Sequence, residues 1–111
     1  MTNTLEQTEA ECAEGRTAPR VSLDDIKANI SAQYSMTASA AIGPDVPGHP
    51  SLDLLTICLV VLRNGFTIIG KSAPASAANF NAELGAKLAY EDAVRQIWPL
   101  MGYALREKLA N

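Results

Sequence analysis

His49, the chain's one histidine, sits in PDVPGHPSLD between Asp45 and Asp53. A histidine flanked by carboxylates is the raw material of acid–base catalysis or a metal site, but both need partners that converge in space. A Pro-rich loop commonly carries a lone histidine with no role, so no catalytic residue is assigned. Cys12 lies in a polar tail and Cys58 among Ile57, Leu59 and Val60. They are too few for a zinc site, and burial among apolar neighbours makes a thiol inert. No Walker motif, dinucleotide-binding glycine pattern or zinc-ligand spacing occurs, so neither a cofactor nor an enzymatic activity is expected. What remains is a set of aromatics near arginines: Phe80, Arg95, Trp98, Tyr103 and Arg106. A ring can stack on a base while a guanidinium binds a phosphate. Tyr103 and Arg106, three apart, share one helix face. Arg95 would be a second cation across Pro99 and Phe80 a stacking surface, whereas Trp98 reads as packing on the core. The candidate ligand-binding residues are therefore Phe80, Arg95, Tyr103 and Arg106.

The elements that must position them belong to one small domain. The chain has 111 residues, a net charge of −3 and a pI near 5.0. No basic surface points to DNA. No cationic stretch followed by an apolar core opens the chain, and no apolar run approaches a membrane span, which argues for a cytosolic protein with reduced thiols. Residues 1–20 set Glu6, Glu9, Glu11 and Glu14 against Arg16 and Arg20 with almost no large apolar side chain. They read as a disordered acidic tail.

From residue 21 the expectation is a single α+β domain. Ser22 and Asp25 form a capping-box pair, with Val21 and Ile26 at the staple positions, so a short helix starts there and ends near Gln33. Tyr34 to Pro50, rich in Gly and Pro, reads as a loop. The stretch LTICLVVLRNGFTIIGKSA reads as a long antiparallel hairpin turning on Asn64-Gly65 in a type I′ turn. That register pairs Val61 with Ile68, placing Ile57, Leu59, Val61 and Ile68 on one face and Cys58, Val60, Leu62 and Ile69 on the other. Both faces are apolar, so both need cover. A C-terminal helical segment kinked at Pro99 offers the stripe Ala82, Ala86, Ala89, Ala93, Ile97, Leu100 and Ala104 to one face. Glu83, Lys87, Glu91 and Arg95 form a solvated ladder opposite. A second copy of the protein is expected over the other face, since an isolated ribbon is marginal.

The ordered set RVSLDDIKANI, LTIC, RNGFTIIGKSA, NFNAELGAKLAYEDA and IWPLMGYALREKL resembles a family of small phage and prophage proteins called gene-product-forty-nine-like, from about Arg20 to Leu109 without the Pro-rich loop. The resemblance implies a phage origin and a small α+β fold, acting in the host cytoplasm. The chain is more distantly similar to phage anti-Thoeris sponge proteins, oligomers that sequester a cyclic ADP-ribose isomer made by a host immune enzyme. That similarity implies counter-defence by binding a cyclic nucleotide without turnover. The family has an amide where Asp92 stands, and a carboxylate is a poor neighbour for a phosphate. The competing reading is an interaction module that engages a host or phage protein through the acidic tail or the Pro-rich loop.

Overall fold

The computed structural model of the protein describes residues 4–15 and 18–111. In chain order the elements are α1 (Leu5–Ala13), α2 (Leu23–Asn29), β1 (Ile30–Thr37), α3 (Ala38–Ile42), β2 (Thr56–Leu62), β3 (Thr67–Ser72) and α4 (Ala82–Ala110), with 3-10 turns at Pro50–Asp53 and Ala77–Asn79. The strands form one antiparallel sheet in the order β1-β2-β3. α1, α2 and α4 share a core with one face of it, which makes an α+β fold with the C-terminal helix packed on the sheet.

The hairpin forms where its β-branched run requires it, but its turn is one residue longer than expected. The Gly65 N–H donates to the Leu62 carbonyl (2.9 Å), and the Leu62 N–H donates to the Phe66 carbonyl (2.8 Å). The loop is thus Arg63-Asn64-Gly65, and only Gly65 has a positive φ, at 89°. Asn64 keeps a negative φ and accepts the Phe66 N–H on its side-chain oxygen at 3.0 Å. A three-residue loop with glycine in the left-handed position replaces the type I′ turn. The register slips by one: Val60 pairs with Ile68, and Leu59 with Ile69. Because side chains alternate, this slip exchanges the two isoleucines between faces. Ile68 is buried at 6% exposure beside Cys58, Val60 and Leu62, whereas Ile69 is 60% exposed.

Two segments differ from the sequence reading. The helix begun by the Ser22–Asp25 box stops at Asn29, and the chain continues as β1 and α3 through most of the region expected to be a loop. β1 forms because its residues alternate apolar and polar and because β2 offers it a ladder from Ile30↔Leu62 to Thr37↔Thr56, with a shift in register between Ile30 and Ala32 that leaves Ser31 unpaired. In the tail, residues 1–3 and 16–17 lie outside the described residues. Residues 5–13 form a helix where disorder was expected, started by a capping box between Thr4 and Gln7. Its anchor is Leu5, 4% exposed within the core cluster. Glu9 locks it down: Arg20 donates to both carboxylate oxygens (3.1 and 2.8 Å), and the Leu23 N–H donates to Oε2 at 3.1 Å.

That lock is pH-dependent. The hydrogen-bonded Arg20 guanidinium holds the Glu9 carboxyl below its ordinary value of 4.5. A depressed folded-state value stabilises the fold above 4.5, and the contribution disappears as pH falls through the lower folded value. We expect hydrogen exchange of the α1 amides to accelerate as pH drops below 4.5, after correction for intrinsic rates. Glu9→Gln should show fast exchange already at neutral pH. Equal protection of wild-type α1 at pH 3 and 7 would assign its docking to Leu5 alone.

α4 supplies the main cover. Ala89, Ala93, Val94 and Ile97 are fully buried against the strands, with Ile26 of α2 beside them in the core. The expected stripe holds at Ala89, Ala93 and Ile97 but fails at Ala82, Leu100 and Ala104, which are exposed. Length explains part of this. Twenty-nine residues make a helix of about 43 Å, whereas the eight-residue β1 spans about 27 Å, so α4 outruns the sheet. α4 passes through Pro99 as one helix, with Trp98 and Met101 against the core. Glu91 is buried at 8% exposure, so the charge ladder is not wholly in water.

Candidate functional site

Where α4 overhangs, it faces α2 and the hairpin tip across a groove of about 830 Å³, lined by residues including Arg20, Val21, Asp25, Arg63, Leu105 and Lys108. Each wall is fixed by a polar tie. The Trp98 indole N–H donates to the Val21 carbonyl at 3.0 Å, holding α4 against the segment that leads into α2. The Arg63 N–H donates to the Asn29 carbonyl at 2.9 Å, and its side-chain Nε donates to the Ala28 carbonyl. These two bonds pin the hairpin tip to the C-terminal end of α2. The groove is therefore a built feature of three elements.

Its electrostatics depart from those of the whole molecule. Three cations, Arg20, Arg63 and Lys108, share the groove with one carboxylate, Asp25, in a chain of net charge −3. Arg20 is paired with Glu9 at 2.8 Å. Asp25 accepts the Ser22 N–H at 2.9 Å, and its carboxyl is held low first by that backbone hydrogen bond and then by the Ser22 side chain. Arg63 and Lys108 have no ion pair among the described residues. With its Nε engaged, Arg63 still has its terminal guanidinium nitrogens, a fork suited to an anionic oxygen pair. Met101, Ala104 and Leu105 add an apolar wall. The volume falls within the range of small-molecule sites, and the combination suits an anion with an apolar body.

The residues singled out from sequence lie elsewhere. Phe80 is half-buried at the start of α4, beside two small cavities of about 90 and 140 Å³ that both include Thr56. Tyr103 is 69% exposed, and Arg95 and Arg106 are exposed along α4. Tyr103 and Arg106 do share a face, and Arg95 lies about 16 Å along the axis from Arg106. Phe80 is another matter: the start of α4 is about 30 Å from Tyr103, so one protomer cannot bring them to one ligand. Trp98 packs on the core as expected. Asp92 has structural work, its Oδ2 accepting the Lys71 N–H at 2.9 Å and the Gln96 side-chain amide at 3.3 Å. Arg20, Arg63 and Lys108 escaped the sequence reading because no local pattern links a tail arginine, a turn arginine and a lysine in the last helical turn.

His49, Ser39 and Asp53 line one cavity of about 350 Å³ in the loop region. The His49 Nδ1 accepts the Ser51 N–H at 3.0 Å, while Ser39 spends its hydroxyl on Asp53 at 2.5 Å. Among the described residues no hydrogen bond joins His49 to Ser39. Among the described residues, no three His, Cys, Asp or Glu side chains are grouped to hold a metal, and no helix is long and apolar enough to cross a membrane. Cys58 is buried, as its strand position requires.

Comparison with curated proteins and with solved structures returns no match. The family model for the phage proteins described as N4 Gp49/phage Sf6 gene 66 matches residues 21–109, which span every element from α2 to the last turn of α4. On that match the chain belongs to the N4 Gp49/phage Sf6 gene 66 family of phage proteins.

Proposed function

We propose that this phage protein binds a small anionic nucleotide signal without chemical turnover and so withholds it from a host defence enzyme. The observation that supports the reading is the convergence of Arg20, Arg63 and Lys108 on one groove of about 830 Å³ in an otherwise acidic chain. Counter-ions of that sign are what a phosphate or pyrophosphate requires, and the apolar wall formed by Met101 and Leu105 can shelter a sugar or base. Cyclic ADP-ribose isomers are the first candidates and cyclic dinucleotides the second. Among the described residues that line the groove there is no aromatic ring, so charge and shape supply the affinity in place of base stacking. The carboxylate of Asp92 is committed to the β3 edge, where it does not confront a phosphate bound in the groove.

Calorimetry against both ligand classes tests the reading. The expected result is saturable heat with unmodified ligand recovered afterwards. Absence of heat at ligand concentrations well above micromolar would overturn it. Arg106→Ala separates the two possible sites. Arg106 lies on the exposed face of α4 outside the groove lining, so its loss should leave affinity within about twofold, against the tenfold or greater loss expected for a hydrogen bond to a charged group. A large effect of Arg106→Ala would move the ligand to the Tyr103–Arg106 face.

One observation favours an interaction module instead. The sheet face opposite the helices carries Tyr34 at 58% exposure and Ile69 at 60%, an apolar surface of the kind proteins use to associate. Under that reading Tyr34→Lys abolishes pull-down of a protein partner while nucleotide heats stay at baseline.

A further inference from the structure

The two edges of the sheet are treated differently. On β3, the Lys71 N–H is taken by Asp92 (2.9 Å), and the Ile69 carbonyl accepts from the Gln96 amide at 2.8 Å. α4 thus caps two of the outward-facing groups of that edge, one donor and one acceptor, with side chains. These bonds also fix the phase of the whole sheet. Ile69 and Lys71 direct their backbone groups away from β2, so Leu59 and Ile57 opposite them direct theirs toward β1, where they meet Tyr34 and Met36. By alternation, Gln33 and Ser35 of β1 direct their N–H and C=O groups outward. No hydrogen bond among the described residues satisfies them. β1 is eight residues long and its sequence, ISAQYSMT, has no charge and no proline, the usual protections of an open edge.

We infer that β1 pairs antiparallel with β1 of a second copy across a two-fold axis at Tyr34, joining two three-stranded sheets into one of six strands. This goes beyond nucleotide binding and does not depend on it. The outward phase of Gln33 and Ser35 permits the register. With the axis at Tyr34, Gln33 exchanges both backbone hydrogen bonds with the partner's Ser35, while Tyr34 stands opposite the partner's Tyr34 in a non-hydrogen-bonded pair, where side chains approach closest. Ala32 then faces the partner's Met36, and the apolar row of Tyr34, Leu59 and Ile69 continues across the axis.

The edge itself argues for a second copy over a peptide: about an axis at Tyr34 the outward backbone groups of Gln33 and Ser35 are complementary to themselves, so an identical β1 satisfies all of them in one register and extends the Tyr34–Leu59–Ile69 row.

Light scattering on the full chain should return twice 11.8 kDa. Gln33→Pro removes an outward N–H and leaves the β1–β2 ladder intact, so it should raise the dimer dissociation constant by about tenfold or more with an unchanged far-UV spectrum. Should that variant fail to fold, a cross-link decides. In a Cys12→Ser background, Tyr34→Cys should form a disulfide-linked dimer under mild oxidation, and Ile69→Cys, on the same face but away from the axis, should not. The proposal is overturned by a wild-type monomer at tens of micromolar. It is equally overturned by a folded Gln33→Pro that stays fully dimeric, or by cross-linking through Ile69→Cys and not Tyr34→Cys, which would mean that the sheets stack face to face.

Discussion

Gly70→Ala is expected to destabilise the fold by about 3 kcal/mol, the upper part of the range for overpacking a closed contact. A Cβ at position 70 would collide with the Ala89 carbonyl oxygen and sit 2.7 Å from the Ala93 backbone nitrogen and 2.9 Å from the Ala93 Cβ. Two of those three atoms are backbone, so no rotamer change relieves the clash. α4 must lift from β3, and the lift is transmitted to Val94 and Ile97, both fully buried, and to the Asp92 and Gln96 caps of the β3 edge. Against a total stability of about 5–15 kcal/mol, such a loss is a large fraction. Gly85→Ala is the milder comparison: its Cβ would meet the Thr56 side-chain oxygen at 2.7 Å, a contact with one buried β-branched side chain and not with the backbone of a packed helix, so its cost should be smaller than that of Gly70→Ala. Urea titration of both variants checks the ranking. A Gly70→Ala midpoint equal to wild type would show that α4 sits on the sheet loosely, and the close approach of Ala89 and Ala93 would lose its structural meaning.

Gly70 also shows where the sequence was legible. Small residues at Ala89 and Ala93 mark a helix that approaches a sheet closely, and the hairpin, the Ser22–Asp25 box and the buried Cys58 all follow from local chemistry. The register did not. Asn64-Gly65 suits both a two-residue and a three-residue loop, and the choice rests on whether Asn64 adopts a positive φ, which its side-chain bond to Phe66 makes unnecessary. One residue of slip then decided which of Ile68 and Ile69 enters the core. β1 was passed over for a different reason. Ile30, Ala32, Tyr34 and Met36 alternate with Ser31, Gln33, Ser35 and Thr37, the two-residue period of a strand, but the run follows a capped helix without a break and leads into the Gly- and Pro-rich stretch, whose loop signal covered it. α1 was missed because one buried leucine and a glutamate bonded to a distant arginine outweigh an acidic composition. The groove is the extreme case, since its three cations are contributed by residues 20, 63 and 108 and only the folded chain brings them together.

Removing the two uncompensated cations should therefore abolish binding more completely than any other pair of substitutions. Hydrogen bonds to charged groups contribute about 1.5–3 kcal/mol each, so Arg63→Ala with Lys108→Ala should weaken a phosphorylated ligand by about 3–6 kcal/mol, a hundredfold or more. Arg63 has a second task, since its Nε holds the Ala28 carbonyl, so its loss alone mixes binding with the position of the hairpin tip. Lys108 separates them: it is exposed in the last turn of α4 with no ion pair among the described residues, and Lys108→Ala should lower affinity without shifting the unfolding midpoint. Arg63→Lys makes the complementary test, since it keeps the charge but loses the planar fork, and should retain only part of the affinity. Binding that survives the double substitution, in a protein whose melting curve is unchanged, would show that the groove's positive charge serves another purpose and would move the nucleotide to the Tyr103–Arg106 face of α4.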